Sequence, residues 1–163
     1  MTESATLTNR SGGWQAVLLA GLVAGVLDGT AAVISTYISI GRGFEAVFRF
    51  VASGVFGPAA FEGGPSMIVA GVCFHMLIAM IWAIVFFFIY PLLKGLGRNK
   101  ILVGLLYGVV VWLCMNLIVV PLSNTPKFPF NPIGMIKGMA ILMVCIGLPI
   151  SIIIGKYYSR RDQ

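Results

Sequence analysis

Four long apolar runs constrain this fold more than any other feature of the sequence. They cover residues 14–38, 67–90, 101–120 and 133–154. A helix of about 20 residues crosses the hydrocarbon core of a bilayer, where every backbone polar group must be hydrogen-bonded within the protein. The sequence therefore predicts an all-α polytopic membrane protein, with four transmembrane helices in a domain covering residues 14–155.

Composition supports the membrane class. Of the 163 residues, 59% are hydrophobic and 10% are charged, which leaves too little polar surface to cover a soluble globule. The net charge is +6, but the basic residues are scattered between the apolar runs and accompany no nucleic-acid-binding motif. We expect the lipid bilayer to be a partner and nucleic acid not to be one.

Lysine and arginine are distributed unequally across the predicted spans. With the amino terminus in the cytoplasm, seven of them lie inside and four outside. The inside set is Arg10, Lys94, Arg98, Lys100, Lys156, Arg160 and Arg161, and the outside set is Arg42, Arg49, Lys127 and Lys137. Because cytoplasmic loops are enriched in Lys and Arg, we predict that the tail of residues 1–13 and the basic tail of residues 156–163 are both cytoplasmic.

The connector between the first two spans contains an amphipathic pattern. Its apolar residues recur at helical spacing, at Phe44, Val47, Phe48, Val51 and Val55. Glu45 and Arg49 fall on the other side of this helix, four residues apart. The pattern predicts an interfacial helix over residues 43–55, with Arg49 solvated in the favoured interpretation. Pairing of Arg49 with Glu45 or Glu62, or its closure over polar groups below, stays open.

Small residues at helical spacing occur in every predicted span. They include Gly21, Gly25 and Gly29 in the first span, Gly71 in the second, Gly104 and Gly108 in the third, and Gly134 and Gly138 in the fourth. Glycines four residues apart let helix backbones approach closely in a membrane. We therefore predict that these glycines mark helix-packing faces.

Polar residues within the spans coincide in depth. Counted from the outer end of each span at about 1.5 Å per residue, Asp28 lies roughly 15 Å deep, His75 roughly 12 Å, and Asn116 and Lys137 roughly 6 Å. Asp28 shares the glycine face of its helix, and His75 lies on a row of small residues. The sequence thus predicts a polar cluster of Asp28, His75, Asn116 and Lys137 in the outer half of the membrane.

Two interpretations of this cluster stay open. In the first, Asp28 and His75 form a proton relay or contact a substrate, as ionisable residues within membrane spans often do. In the second, the two side chains are hydrogen-bonded to each other and join two helices, and they need no further role. Both interpretations place Asp28 and His75 in contact within one chain.

Motifs for metal binding and catalysis are missing from the sequence. The cysteines Cys73, Cys114 and Cys145 lie in apolar runs without a C-x-x-C pair, and His75 is the single histidine. We therefore expect no metal site, no cofactor and no catalytic residue. The weaker alternative is a haem held by His75 of two chains in a homo-oligomer.

Several stretches carry a family resemblance. The segments "AGVLDGTAA", "VFRFVASGVFG", "AFEGG", "FHMLIA" and "VVPLS" resemble, in that order, a family of small bacterial integral membrane proteins grouped with the YagU-like inner membrane proteins. The similarity covers most of the chain from Ala20 to Ser123. It implies a location in the bacterial inner membrane and transfers no activity, cofactor or site residue.

Two functions follow as hypotheses. The first is a non-catalytic accessory or scaffold component of a larger membrane assembly, with other membrane-protein subunits or further copies of the chain as partners. The second is a small homo-oligomeric transporter or channel that uses the polar cluster. The absence of ionisable residues from the inner halves of the spans is the main difficulty for the second hypothesis.

Labelling of introduced cysteines tests the topology. In a variant without the native cysteines, we expect a membrane-impermeant maleimide to label a cysteine near Glu62 in intact cells. Cysteines near Glu3 and Gln163 should react only after permeabilisation, because Lys and Arg are in excess on that side. Labelling of either terminus in intact cells would contradict the predicted orientation.

Overall fold

All regular secondary structure in the described part of the chain is helical. The structure is a computed structural model that describes residues 3–93, 99–126 and 131–161, and side chains from residue 12 onward. Within these ranges the α-helices are α1 (Glu3–Ile40), α2 (Phe44–Phe56), α3 (Ala59–Glu62), α4 (Pro65–Ile89), α5 (Lys100–Cys114), α6 (Val120–Leu122), α7 (Pro132–Leu142) and α8 (Leu148–Arg161). A 3₁₀ turn at Tyr90–Leu93 ends α4, and π-helical turns at Met115–Val119 and Met143–Gly147 interrupt the last two long helices.

The four predicted spans are confirmed as helices long and apolar enough to cross a membrane. They run over Gly12–Ile40, Pro65–Leu93, Lys100–Leu122 and Pro132–Arg161. The helix α1 begins at Glu3, so the predicted tail of residues 1–13 continues the first span as a helix from that residue. Of the cations used to predict orientation, Lys94, Arg98 and Lys127 lie outside the described residues.

The bundle has two ends, and its apolar core lies toward one of them. The α2 end carries α2, α3 and Ser123–Pro126, and the distal end carries Tyr90, Lys100 and Arg161. The buried core side chains include Phe86, Tyr107, Val111, Ile150 and Ile154. They fill the middle and the distal half of the bundle, where an interior is close-packed and leaves few voids.

Hydroxyl groups in the distal half are hydrogen-bonded to backbone carbonyls of neighbouring helices. Tyr107 Oη donates to the Trp82 carbonyl at 2.6 Å, and Tyr158 Oη donates to the Phe87 carbonyl at 3.0 Å. Ser151 Oγ donates to the Lys100 carbonyl at 2.7 Å. Each bond satisfies a polar group that would otherwise be exposed to hydrocarbon.

The glycine face of α1 packs against α4. A Cβ atom added at Gly21 would lie 2.8 Å from Met80 Sδ, and one added at Gly25 would lie 2.8 Å from Met76 Sδ. A Cβ atom at Gly29 would lie 3.1 Å from His75 Nε2. The missing side chains therefore let two methionines and one imidazole of α4 approach the α1 backbone.

The third and fourth spans meet backbone to backbone. A Cβ atom at Gly104 would lie 2.9 Å from the Gly147 carbonyl oxygen, and one at Gly108 would lie 2.8 Å from Met143 N. The residues that meet this pair, Gly147 and Met143, therefore lie in the π-helical turn Met143–Gly147. Gly147, which the sequence analysis did not single out, is buried in this contact.

The predicted packing role of Gly134 and Gly138 is not seen within the chain. A Cβ atom at Gly138 would meet Trp112 Nε1 at an ordinary 3.5 Å, and one at Gly134 would meet only the side chain of the N-cap residue Asn131. The physical reason is that α7 buries none of its residues. Gly134 is therefore exposed, and Gly138 is half-buried against the Trp112 side chain.

Helix α2 exists close to the predicted bounds, but it packs more tightly than a surface helix. A Cβ atom at Gly71 of α4 would clash with the carbonyl group of Phe48, so the two backbones touch there. At the other end of α2, Asn124 donates from its backbone N to the Gly54 carbonyl and from Nδ2 to the Val55 carbonyl, both at 3.0 Å. These contacts fix α2 across the end of the bundle.

A matched pair of glycine substitutions tests the backbone contact between the last two spans. We expect Gly108→Ala to destabilise the protein by about 1 to 3 kcal/mol, because its methyl group would overlap the Met143 backbone. Gly138→Ala adds the same methyl group at an ordinary contact distance and should leave stability unchanged or raise it. Unfolding in mixed detergent micelles measures both, and equal stability of the two variants would contradict the close contact.

Candidate functional site

A cavity of about 270 Å³ lies between the spans in the α2 half of the bundle. All four spans and α2 contribute to its wall, which is mostly apolar. The polar side chains that line it are those of Asp28, His75, Asn116, Ser123 and Thr125. Three of the four predicted cluster residues therefore meet at one place.

Asp28 contributes an incompletely paired carboxylate to this cavity. Its side chain is 14% exposed, and its Oδ1 atom is buried with no hydrogen-bond partner among the described residues. The other oxygen, Oδ2, lies 3.9 Å from His75 Nε2, which is within ion-pair distance but beyond the length of a hydrogen bond. The two side chains meet as the sequence predicted, but the structure lacks the predicted hydrogen bond between them.

His75 is held mainly by a backbone group. Its Nε2 atom lies 2.9 Å from the Gly25 carbonyl oxygen. A carbonyl only accepts, so Nε2 carries the proton and donates it to Gly25. On its other side the imidazole meets the Phe48 ring edge to face, with centroids 5.8 Å apart. The glycine face of α1 makes this geometry possible, because a side chain at Gly29 would crowd the imidazole.

Asn116 lies in the π-helical turn Met115–Val119, at the exposed side of the cavity. Its Nδ2 donates to the Trp112 carbonyl of the preceding turn at 2.9 Å. A π-helical turn is rare and is found frequently at functional sites, since it re-aims the side chains of a long helix. The wide turn places Asn116 on the cavity, although straight helical periodicity gives no indication of this.

Lys137 does not belong to the cavity. It is exposed on α7 and absent from the cavity wall, so the prediction that it joins the cluster is wrong for the chain as described. The reason is the outward position of α7, which buries no residue. A shared position in the outer half of the membrane placed Lys137 with the others, but depth does not determine the direction in which a helix face points.

The sequence analysis missed two hydroxyl groups at the α2 end of the cavity. Ser123 Oγ and Thr125 Oγ1 are 2.7 Å apart, and Ser123 Oγ also lies 2.8 Å from the Val120 carbonyl, to which it can donate. Their hydrogen bonds tie them to each other and to their own segment. The proline-rich composition of this connector indicated a loop but gave no sign that the loop covers a cavity.

Arg49 closes the connection between α2 and α4 instead of being solvated. Its Nη1 donates to the carbonyls of Phe61 at 2.7 Å and Gly63 at 2.6 Å. Glu45 Oε2 lies 4.0 Å from Nη2 and is 72% exposed, so this ion pair is weak. Arg49 therefore stabilises the turn that returns the chain to the bundle, and through it the position of α2.

The far wall of the cavity adjoins the packed core. Trp82 lines the cavity, and its carbonyl accepts the hydrogen bond from the buried Tyr107. Val111 and Ile146, both buried core residues, form the same wall. Chemically, this is an apolar chamber with one carboxylate and one imidazole, suited to binding a small polar or cationic group.

No family model, curated protein or solved structure matches this chain. The residues of the site itself are therefore the basis for its chemistry.

A double-mutant cycle tests how Asp28 and His75 are paired. We expect His75→Leu to cost on the order of 1 to 3 kcal/mol, because it removes the hydrogen bond that Nε2 donates across the helix interface to the Gly25 carbonyl. Asp28→Leu removes a carboxylate that lacks a full set of partners and should cost less. The coupling energy should stay below about 0.5 kcal/mol, and a value above about 1 kcal/mol would indicate the direct pair that the sequence predicted.

Proposed function

We propose that this protein is a non-catalytic integral membrane protein that acts as an accessory component of a larger membrane assembly. The observation that carries this proposal is that α7 is incompletely packed within the chain. None of its residues is buried, although it contains two glycines four residues apart. In a bilayer, lipid tails solvate all apolar helix faces alike, so contact with lipid stabilises such a face little. Small residues, by contrast, allow another helix to approach closely.

The contrast with the other glycines supports this assignment. Gly71, Gly104 and Gly108 each have a neighbouring backbone of the same chain against them, whereas Gly138 meets only the edge of Trp112. The π-helical turn Met115–Val119 and α6, which precede α7 in the chain, also bury none of their residues. We infer that this corner of the bundle receives a helix of an unlike membrane protein.

Cellular location and orientation are part of the same proposal. The order of the family-like segments supports the bacterial inner membrane and a YagU-like relationship. The seven-to-four excess of Lys and Arg supports cytoplasmic termini. In this orientation α2 and the cavity lie toward the outer surface, with α2 at the interface.

A homo-oligomeric transporter is the second candidate, and the Asp28 carboxylate in the cavity favours it. The packed core between the cavity and the distal end argues against a path through a single chain. Flux in proteoliposomes that falls with Asp28→Asn would support the transporter. Flux that does not respond to this substitution would remove its motivation.

Purification from native membranes tests the accessory role. We expect the protein, extracted in mild detergent, to copurify with an unlike membrane protein in a fixed ratio. Gly134→Ile should abolish this association, because Gly134 is exposed and a branched side chain there would hold the partner helix away from α7.

Ala140→Ile is the matched control for this experiment. It adds a similar bulk to another exposed position of the same helix, but about 120° around its axis from Gly134. It should leave the association intact. Recovery of the protein alone, or only with further copies of itself, would contradict the proposed unlike partner, as would equal effects of the two variants at equal thermal stability.

A further inference from the structure

We propose that the cavity in the α2 half is a binding site for a small organic cation. Its ammonium group would be held by Asp28 and its apolar body would lie against the cavity wall. This site goes beyond the docking surface on α7, although the π-helical turn Met115–Val119 borders both.

The charge of the ligand follows from the pairing of Asp28. The Oδ1 atom has no hydrogen-bond partner among the described residues, and Oδ2 lies 3.9 Å from the closest ring nitrogen of His75. The Nε2 proton of His75 is directed to the Gly25 carbonyl at 2.9 Å, so the imidazole supplies no donor to the carboxylate. A buried carboxylate in apolar surroundings is strongly stabilised by a cation that also donates hydrogen bonds.

The class of cation follows from the rest of the cavity. A primary ammonium offers three N–H donors to the Asp28 carboxylate at the cavity wall, and a hydrated metal ion would instead need several oxygen ligands. The remaining wall is formed largely by apolar side chains, among them Ile78, Trp82, Val111 and Met115. The indole of Trp82 adds a ring face, which attracts cations.

The size of the ligand follows from the volume. Engineered protein cavities of about 150 Å³ take up benzene. A cavity of about 270 Å³ therefore has room for one aromatic ring with a short ammonium side chain. Its volume does not suit a polycyclic or long-chain body.

A route into the cavity exists beside the π-helical turn Met115–Val119. Asn116 and Val119 both line the cavity and are both exposed, so the cavity opens between them and the outside of the bundle. The opening lies on the side of the third span where no residue of this turn is buried.

Binding of radiolabelled 2-phenylethylammonium to the purified full-length protein in detergent tests the proposal. Equilibrium dialysis against protein-free micelles corrects for partition into detergent. We expect saturable binding of one cation per chain. Unlabelled 2-phenylethanol, which has nearly the same shape and no charge, should compete at least about tenfold more weakly, because a charged hydrogen bond contributes that much in a buried site.

Three variants locate the site. Asp28→Asn keeps the shape of the side chain and should weaken binding by about tenfold or more. Glu45→Gln removes an equally charged but 72% exposed carboxylate outside the cavity and should leave binding unchanged. Val51→Phe narrows the cavity without touching the carboxylate and should also weaken binding.

The proposal has clear contrary outcomes. Equal competition by the alcohol, the absence of saturable binding, or full binding by Asp28→Asn would each overturn it. If Asp28→Asn does not fold, the competition between the cation and the alcohol on the unmodified protein decides whether the proposal holds. Gly134→Ile should bind the cation normally, which separates this test from the test of the α7 docking surface.

Discussion

Direct contact between helix backbones is the constraint on which the rest of this structure depends. Lipid tails solvate an apolar side chain as well as another helix does, so helices in a bilayer associate mainly through close packing and hydrogen bonds. Here the closest approaches occur at Gly71 against Phe48 and at Gly147 against Gly104. The first contact seats α2 on α4, and the second joins the last two spans.

These contacts also explain why the two halves of the bundle differ. In the distal half, large side chains such as Phe86, Ile150 and Ile154 interdigitate and are fully buried. Toward the α2 end, π-helical turns widen the third and fourth spans, and a chamber remains between them and α2. A closed core and a polar chamber thus arise from one bundle, because the glycine contacts hold its helices at fixed distances while the wide turns redirect its side chains.

Much of the fold could be predicted from sequence, because it depends on the lengths of the apolar runs and on the period at which apolar residues recur. The apolar runs predicted four spans, and the stripe from Phe44 to Val55 predicted α2 within about one residue at each end. The site was harder to predict, since it depends on the direction in which each helix face points. Depth alone grouped Lys137 with Asp28, whereas the outward position of α7 separates them, and the π-helical turn that presents Asn116 leaves no periodic signal. The role of Arg49 was missed because its acceptors are backbone carbonyls, which any sequence could supply.

A buried carboxylate needs partner groups that compensate the free energy cost of its burial. If Asp28 only joined α1 to α4, one of its oxygens should accept a hydrogen bond from His75, since an unpaired buried charge costs several kcal/mol. Instead the imidazole donates to the Gly25 carbonyl, and this bond joins the two helices beside the close packing of Gly21 and Gly25 against two methionines of α4. These contacts join α1 to α4 without the carboxylate. Asp28 is left facing a chamber with apolar walls, an arrangement that stabilises a positively charged guest better than it stabilises the fold.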